Sequence, residues 1–158
     1  MSMMRDMAID NSDRELVTTR VFDAPRSRVF DAFTRPKHLP RWMCGPEGWT
    51  MPVCRIDLRP GGAWHFEWRR ADGSGMTMRG SYRVVQPPDR LVSTERWGGD
   101  WPETLNTLAL VEDAGKTTAT LTVRWPSRLA REAALNTGMT DGMSAAFVRL
   151  DAYLRTMA

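Results

Sequence analysis

The segment AWHFEWRR, which begins at residue 63, alternates between large apolar and polar side chains. Successive side chains of a β-strand point to opposite faces of a sheet, so Trp64, Phe66 and Trp68 are predicted to share one face. His65 and Glu67 then face the other side. The pattern predicts a strand with an aromatic row directed at a hydrophobic interior.

Six other segments have strand-like composition, rich in β-branched and aromatic residues. Turns such as RPGG, ADGSG, QPPD and DAGK separate most of them and supply the glycines and prolines that reverse the chain. This close spacing predicts an antiparallel meander. The seven predicted strands are ELVTTRVF, MPVCRIDL, AWHFEWRR, MTMRGSYRVV, RLVSTERW, TLNTLALVE and TTATLTVRW.

Two segments have helical periodicity. DAPRSRVFDAFTRPKHLPRWM predicts a short amphipathic helix with Pro25 in its first turn and Pro36 at its end. The C-terminal segment places apolar residues three and four positions apart, which predicts a long helix with Ser127 as its N-cap. Gly138 and Gly142 are positions at which this helix could bend.

Seven antiparallel strands and one long amphipathic helix predict an α+β fold in which the sheet curls around the helix. The aromatic row then faces the space between them. Residues 1–13 lack periodicity and are predicted to be a flexible N-terminal tail. Residues 14–158 are predicted to form a single domain, because this length suffices for one substantial core.

The composition narrows the classes of function. The chain has 22 lysines and arginines and 19 acidic residues, for a formal net charge of +3, and they are spread along its length. Nucleic-acid binding is therefore disfavoured. No apolar run approaches the roughly 20 residues of a membrane span, and charges interrupt the N-terminal segment where a signal peptide needs its apolar stretch. We expect a soluble cytoplasmic protein without membrane insertion.

Five blocks along the chain carry a family resemblance: the segment from FDAPRSRVF to PGGAWHFE, RGSYRVVQPPDRLVSTERW, WPETLNTLALVED, GKTTATLTVRWPS and ALNTGMTDGMSAAFVRLDAYL. In this order they resemble the START-like (SRPBCC) superfamily. The branch that they resemble is the C-terminal domain of the activator of heat-shock-protein-90 ATPase. The resemblance extends from about Glu15 to Leu154.

The resemblance implies a helix-grip fold, in which a seven-stranded antiparallel sheet wraps a long C-terminal helix and encloses a cavity for apolar small molecules. Met43 and Cys44 depart from the family pattern, in which a second tryptophan follows the RW pair, so the shape of the nearby pocket wall is left open. The matching motifs are DAP (residues 23–25), RW (41–42), GPEG (45–48) and DLRPGG (57–62).

Aromatic and methionine side chains are the candidates for lining such a cavity. Seven tryptophans and 11 methionines are many for this length, and methionine adapts its shape to irregular ligands. For each candidate taken alone, ordinary core packing is the better explanation, and the cavity interpretation rests on the set as a whole. The predicted ligand-binding residues are Trp42, Trp64, Phe66, Trp68, Met78, Tyr82, Trp97, Met139, Met143 and Phe147.

Three features near the predicted cavity each have two interpretations. The Tyr82 hydroxyl could orient the polar end of a ligand or bond a backbone carbonyl. Glu95 would be a buried carboxylate with a raised pKa if it shares the inward register with Leu91 and Ser93, and would be exposed otherwise. The loop of residues 97–103, WGGDWPE, could be a lid or a small surface cluster.

Residues typical of catalysis and metal binding are few. His38 and His65 are the only histidines, and neither is placed for general acid–base chemistry in the predicted fold. The sequence has no known phosphate-binding, dinucleotide-binding or zinc motif. Cys44 and Cys54 are predicted to be free thiols. We therefore predict no catalytic residue, no metal and no cofactor.

Three functions remain compatible with these observations. The first is a protein that binds an apolar or amphipathic small molecule between sheet and helix. The second is a small-molecule enzyme of the cyclase, aromatase or hydrolase type, for which Glu95, Tyr82 or Asn106 would have to converge inside. The third is a cochaperone-like interaction module, which the resemblance suggests. A homodimer is possible as the common default.

Overall fold

The computed structural model describes residues 13–157. The predicted flexible tail lies outside this range apart from residue 13. The seven strands follow in the predicted order, but two helices are present at each of the two places where the sequence predicts one. They are β1 (Glu15–Phe22), α1 (Arg26–Thr34), α2 (Leu39–Trp42), β2 (Trp49–Ile56), β3 (Ala63–Arg70), β4 (Gly75–Gln86), β5 (Arg90–Trp97), β6 (Thr104–Asp113), β7 (Lys116–Arg124), α3 (Arg128–Leu135) and α4 (Met139–Leu154).

The seven strands form one antiparallel sheet in the order β1-β7-β6-β5-β4-β3-β2. Strands β2 to β7 are neighbours in sequence order, whereas β1 completes the sheet at the edge beside β7. The sheet curls, and side chains of α1, α2 and α4 join the hydrophobic core on its concave face. The predicted α+β fold, a curled seven-stranded sheet with a C-terminal helix against it, is confirmed.

The aromatic row of β3 faces this core. Trp64, Phe66 and Trp68 retain only 5%, 8% and 8% of their exposure. His65 and Glu67 are partly exposed on the opposite face, where His65 Nε2 lies 2.8 Å from Glu67 Oε2. The two faces of β3 are therefore as the alternation predicts: the aromatic side chains face the core and the polar ones face outward.

Phe147 holds helix α4 against the rest of the fold. Its ring lies 5.9 Å from that of Phe22, and 6.4 Å from those of Phe33 and Trp42. Trp42 is fully buried, and its Nε1 donates to the Ala32 carbonyl at 2.9 Å. These edge-on and tilted ring contacts close one end of the space between sheet and helix.

The C-terminal helix differs from the single long helix that the periodicity predicts. Ser127 is the N-cap, since its Oγ accepts from the Ala130 N–H at 3.1 Å, but this helix, α3, ends at Leu135. Gly138 then adopts φ +84° and separates α3 from α4. Gly142, the other predicted bend, lies inside α4. The apolar spacing hides the break because both helices direct apolar residues at the same interior.

The two glycines predict opposite effects of substitution by alanine. Gly138→Ala should lower the free energy of unfolding by about 1 kcal/mol or more, because an L-residue is strained at positive φ. Gly142→Ala should raise it by about 0.5–1 kcal/mol, because alanine loses less backbone entropy in a helix, and an added Cβ there meets no atom within 4 Å. Urea denaturation measures both, and effects of the same sign would contradict the break at Gly138.

The packing of α4 predicts a second contrast between neighbouring helix positions. Leu150 is fully buried, whereas Val148 is 59% exposed. Leu150→Ala should lower the free energy of unfolding by about 2–5 kcal/mol through loss of buried contacts and the cavity left behind. Val148→Ala, the matched control, should change it by no more than about 0.5 kcal/mol. Equal effects in urea denaturation would show that α4 packs through a different face.

Candidate functional site

Two groups of apolar side chains lie on the concave side of the sheet. The main core, which includes Phe22, Trp64 and Phe147, is closed by helices α1, α2 and α4. A second cluster lies where the chain passes from β7 into α3, and its buried members are Leu16, Val123, Trp125 and Ala134. The apolar side chains around it are only partly buried: Trp97, Trp101, Ala130, Leu135, Met139 and Met143.

Solvent therefore reaches inward-facing side chains at one end of the fold. We refer to this region as the cleft. It comprises inward-facing side chains of β5 and β6 and side chains of α4 that stay partly exposed. Met143 packs against both the main core and the second cluster, so it marks the boundary between them. The partly buried side chains by which we define the cleft are Ser93, Glu95, Trp97, Asn106, Met139 and Met143.

The open question of the β5 register is resolved in favour of an inward Glu95. Asn106 alternates along β6 with Leu108 and Leu110, which belong to the main core. The Asn106 amide donates from Nδ2 to Glu95 Oε1 at 3.0 Å, so both side chains lie on the concave face. Trp97, two residues beyond Glu95, joins the second cluster.

A small hydrogen-bond network holds the Glu95 carboxylate in place. Trp97 Nε1 donates to Glu95 Oε2 at 2.9 Å, and Asn106 Nδ2 donates to the other oxygen. The Thr104 hydroxyl donates to Asn106 Oδ1 at 3.0 Å, which fixes the orientation of the amide. Each carboxylate oxygen therefore accepts one hydrogen bond from a neutral group.

Burial raises the pKa of Glu95 above its ordinary range, and the hydrogen bonds from Trp97 and Asn106 oppose that rise. Desolvation disfavours the charged form of a carboxyl, whereas N–H donors favour it. The direction of the net shift shows that desolvation is the stronger effect. Glu95 is thus a carboxyl group that lacks the solvation or counter-charge that would restore an ordinary pKa.

Two further polar groups lie deeper on the concave face. Tyr82 is buried, and its cross-strand partner is Ser93. Burial and the neighbouring Cys54 raise the pKa of the Tyr82 hydroxyl, and burial raises the pKa of the Cys54 thiol to about 11. Within residues 13–157 the Tyr82 hydroxyl has no hydrogen-bond partner. Among these residues, the Tyr82 hydroxyl therefore does not bond a backbone carbonyl, which was one of its two interpretations. Both Cys54 and Cys44 are free.

The ten predicted site residues divide into two groups. Six are buried in the main core: Trp42, Trp64, Phe66, Trp68, Tyr82 and Phe147. The other four are partly exposed: Met78, Trp97, Met139 and Met143. Trp97 and the last two methionines meet in the second cluster, and Met78 is the cross-strand neighbour of Trp97.

The indoles of the buried group are engaged by the protein itself. Trp64 Nε1 donates to the Thr94 carbonyl at 3.2 Å, and Trp68 Nε1 donates to the Met43 carbonyl at 2.7 Å. Trp42 is packed between α1 and α4, on the helical side of the main core. These tryptophans offer apolar surface to the interior, because their N–H groups have backbone partners.

The loop after β5 adds a residue that was not among the ten candidates. Trp101 packs on Trp97 with ring centroids 4.8 Å apart and planes at 62°. Arg96 Nη1 donates to the Trp101 carbonyl at 3.2 Å, which ties the loop to the end of the strand. The two tryptophans therefore form an aromatic pair at the rim of the cleft. In the sequence, the two tryptophans flank the flexible segment GGD, and this arrangement is the feature that could have identified Trp101 as a site residue.

The histidines lie away from the cleft. His38 Nδ1 lies 2.6 Å from the Tyr153 hydroxyl, near the C-terminal end of α4, and His65 pairs with Glu67 on the outer face. Among residues 13–157, no group of three or more potential ligands could hold a metal ion. In the same range no helix combines the length and apolarity needed to cross a bilayer.

A family model described as "Activator of Hsp90 ATPase homolog 1-like protein" matches residues 23–155. This chain belongs to that family. The match covers all of the described fold except β1 and the last residues, and it confirms the resemblance seen in the sequence. A comparison of this AHSA1-like chain with curated proteins gives no match.

Solved structures support the same assignment for the AHSA1-like chain. A protein from Rhodobacter sphaeroides is 29% identical with a TM-score of 0.89, over 97% of this chain and 99% of that one. A protein from Mycobacterium smegmatis is 26% identical with a TM-score of 0.84, over 94% and 95% of the two chains. An AHSA1 protein from Silicibacter pomeroyi, 22% identical over 91% and 99% with a TM-score of 0.74, shares the fold.

The raised pKa of Glu95 predicts a pH dependence of stability. Between about pH 4.3, the ordinary value for a glutamate, and the raised pKa, the folded state binds more protons than the unfolded state. The free energy of unfolding therefore falls as pH rises through this window, with a slope of at most about 1.4 kcal/mol per pH unit. Glu95→Gln removes this dependence, so the variant should gain stability relative to the wild type as pH rises.

Urea denaturation from pH 4 to pH 9 tests this prediction. The exposed Glu103 provides the control, because Glu103→Gln measures the general effect of removing a carboxylate from this part of the surface. A difference between Glu95→Gln and wild type that stays constant across the range would contradict a desolvated Glu95.

Proposed function

We propose that this chain binds an apolar or amphipathic small molecule in the cleft. The observation that carries the proposal is the contrast between the two ends of the concave face. At one end aromatic rings fill the interior, and at the other Trp97, Met139 and Met143 face inward yet stay partly exposed. A ligand that covers these side chains would remove apolar surface from water, which is favourable by about 25 cal/mol per Å².

The inward polar groups support an amphipathic ligand over a purely apolar one. The buried Tyr82 hydroxyl without a partner in residues 13–157 would gain a hydrogen bond to a polar atom of the ligand. Ser93, its cross-strand partner, is partly exposed and offers a second hydroxyl on the same face. A few placed polar groups in an otherwise apolar lining are typical of small-molecule sites.

The side chains of the cleft also favour tolerance of ligand shape. Met139 and Met143 have flexible, polarizable side chains, which adapt to irregular surfaces. In this proposal the protein acts in the cytoplasm as a carrier or sensor, with no nucleic-acid partner and no membrane insertion. The homodimer that the sequence allows stays a prediction.

A small-molecule enzyme is the second candidate, and the contact between Glu95 and Asn106 favours it. Two polar side chains converge on the concave face, and one is a carboxyl with a raised pKa, a combination found at sites of proton transfer. Liquid chromatography coupled to mass spectrometry of ligand recovered after incubation separates the two functions. A binding protein returns the ligand unchanged, whereas an enzyme alters its mass or isomeric form and loses that activity in Glu95→Gln.

The binding proposal predicts that filling the cleft weakens binding of a neutral apolar probe. Ser93→Phe places a large ring on the concave face of β5, and it should weaken binding of N-phenyl-1-naphthylamine by about tenfold or more. The increase in probe fluorescence in apolar surroundings measures the affinity. Thr120→Phe is the control, because Thr120 lies on the convex face, next to Leu121 in the alternation of β7.

Thermal unfolding of both variants checks that each is folded. Saturable one-to-one binding by the wild type and by Thr120→Phe, with loss in Ser93→Phe, supports the cleft. The absence of probe binding by the wild type, or equal binding by a folded Ser93→Phe, would overturn the proposal.

A further inference from the structure

We propose that the ligand of the cleft carries a positively charged ammonium group, which Glu95 binds at the rim beside Trp97 and Trp101. This inference rests on the proposed function and names the chemical class of ligand. The hydrocarbon part of such a cationic amphiphile would lie along Met139 and Met143. Three features support it: the incomplete solvation of the Glu95 carboxylate, the pair of tryptophans beside it, and the poorer fit of anionic and neutral head groups.

The first feature is the incomplete solvation of the Glu95 carboxylate. Its two protein donors, Trp97 Nε1 and Asn106 Nδ2, are neutral and occupy one lone pair on each oxygen. A carboxylate has about four acceptor positions, so one direction on each oxygen stays available. Within residues 13–157, no charged side chain contributes to the shift of its pKa. The neighbouring Arg96 directs Nη1 to the Trp101 carbonyl.

A desolvated carboxylate without a counter-charge is unfavourable, and a cation that enters the cleft would compensate it. The network orients the carboxylate before the ligand arrives. The Thr104 hydroxyl holds the Asn106 amide, and the amide and the indole N–H hold the two oxygens. An ammonium group would therefore meet an acceptor that needs little reorganisation on binding.

The second feature is the aromatic pair beside this carboxylate. Tryptophan is the side chain whose ring face attracts cations most strongly, within about 6 Å of the ring centroid. The Trp97 ring is held next to the carboxylate by its own hydrogen bond to Glu95. Trp101 packs against Trp97 with centroids 4.8 Å apart. Both rings are partly exposed, so a carboxylate and two indoles are available to one cation.

Ligands with another charge fit this position less well. An anionic head group would be repelled by the Glu95 carboxylate and would lack a cationic partner there. A neutral hydroxyl could donate one hydrogen bond, but it would leave the charge uncompensated. Only a cation matches both the carboxylate and the faces of the tryptophans.

Three ligands with the same ten-carbon chain test the inference: decylammonium, 1-decanol and decanoate. Isothermal titration calorimetry at pH 8, below the micellar concentrations, gives their dissociation constants. The wild type should bind decylammonium about tenfold more tightly than decanol, and decanoate more weakly than either, because hydrogen bonds to charged groups are about twice as strong as neutral ones. Glu95→Gln should lose the preference for decylammonium over decanol, because the amide has no charge to pair with the ammonium group.

Glu103→Gln is the matched control, and it should keep the preference, because Glu103 is an exposed carboxylate outside the network. Equal affinity of the wild type for decylammonium and decanol would overturn the inference and leave the proposed function standing. A preference that persists in Glu95→Gln would also overturn it. Failure of all three ligands to bind would overturn the proposed function itself. If Glu95→Gln does not fold, the affinities of the wild type for decylammonium and decanol still test the inference.

Discussion

The packing of Phe147 against Phe22, Phe33 and Trp42 is the interaction on which the rest of the structure depends. It fixes the C-terminal half of α4 to the sheet and to the first two helices. An ion pair between Arg20 of β1 and Asp151, with Nη2 and Oδ2 2.9 Å apart, reinforces this end of the helix. Because α4 is fixed there, its N-terminal half and α3 must cover the other end of the concave face, which they do incompletely.

The concave face is divided into a filled end and an end whose apolar side chains stay partly exposed. The aromatic rings at the filled end supply the buried apolar area that folding requires. The open end has fewer buried apolar side chains, and desolvated polar groups such as Glu95 and Tyr82 lie on the concave face. A bound ligand would complete the core.

The sequence predicts much of this fold, and its failures have physical causes. The faces of β3 follow from alternation, because one face is aromatic and the other polar. The register of β5 does not follow, because Val92 and Thr94 are buried on one face and Leu91 on the other, so alternation cannot select between them. Gly138 is predicted as a possible bend, but the division into two helices there is not, because apolar spacing continues across it. Trp101 belongs to a loop, whose path no periodicity describes.

The central claim, that a ligand enters between the sheet and helices α3 and α4, is tested most directly by methionine-methyl NMR during titration with N-phenyl-1-naphthylamine. We expect large, saturable shifts and contacts to the probe at the methyl groups of Met139 and Met143. Met51, in the filled end of the core, and Met157, beyond α4, should change little. Shifts confined to Met51 or Met157, or contacts from the probe to the convex face, would contradict this claim.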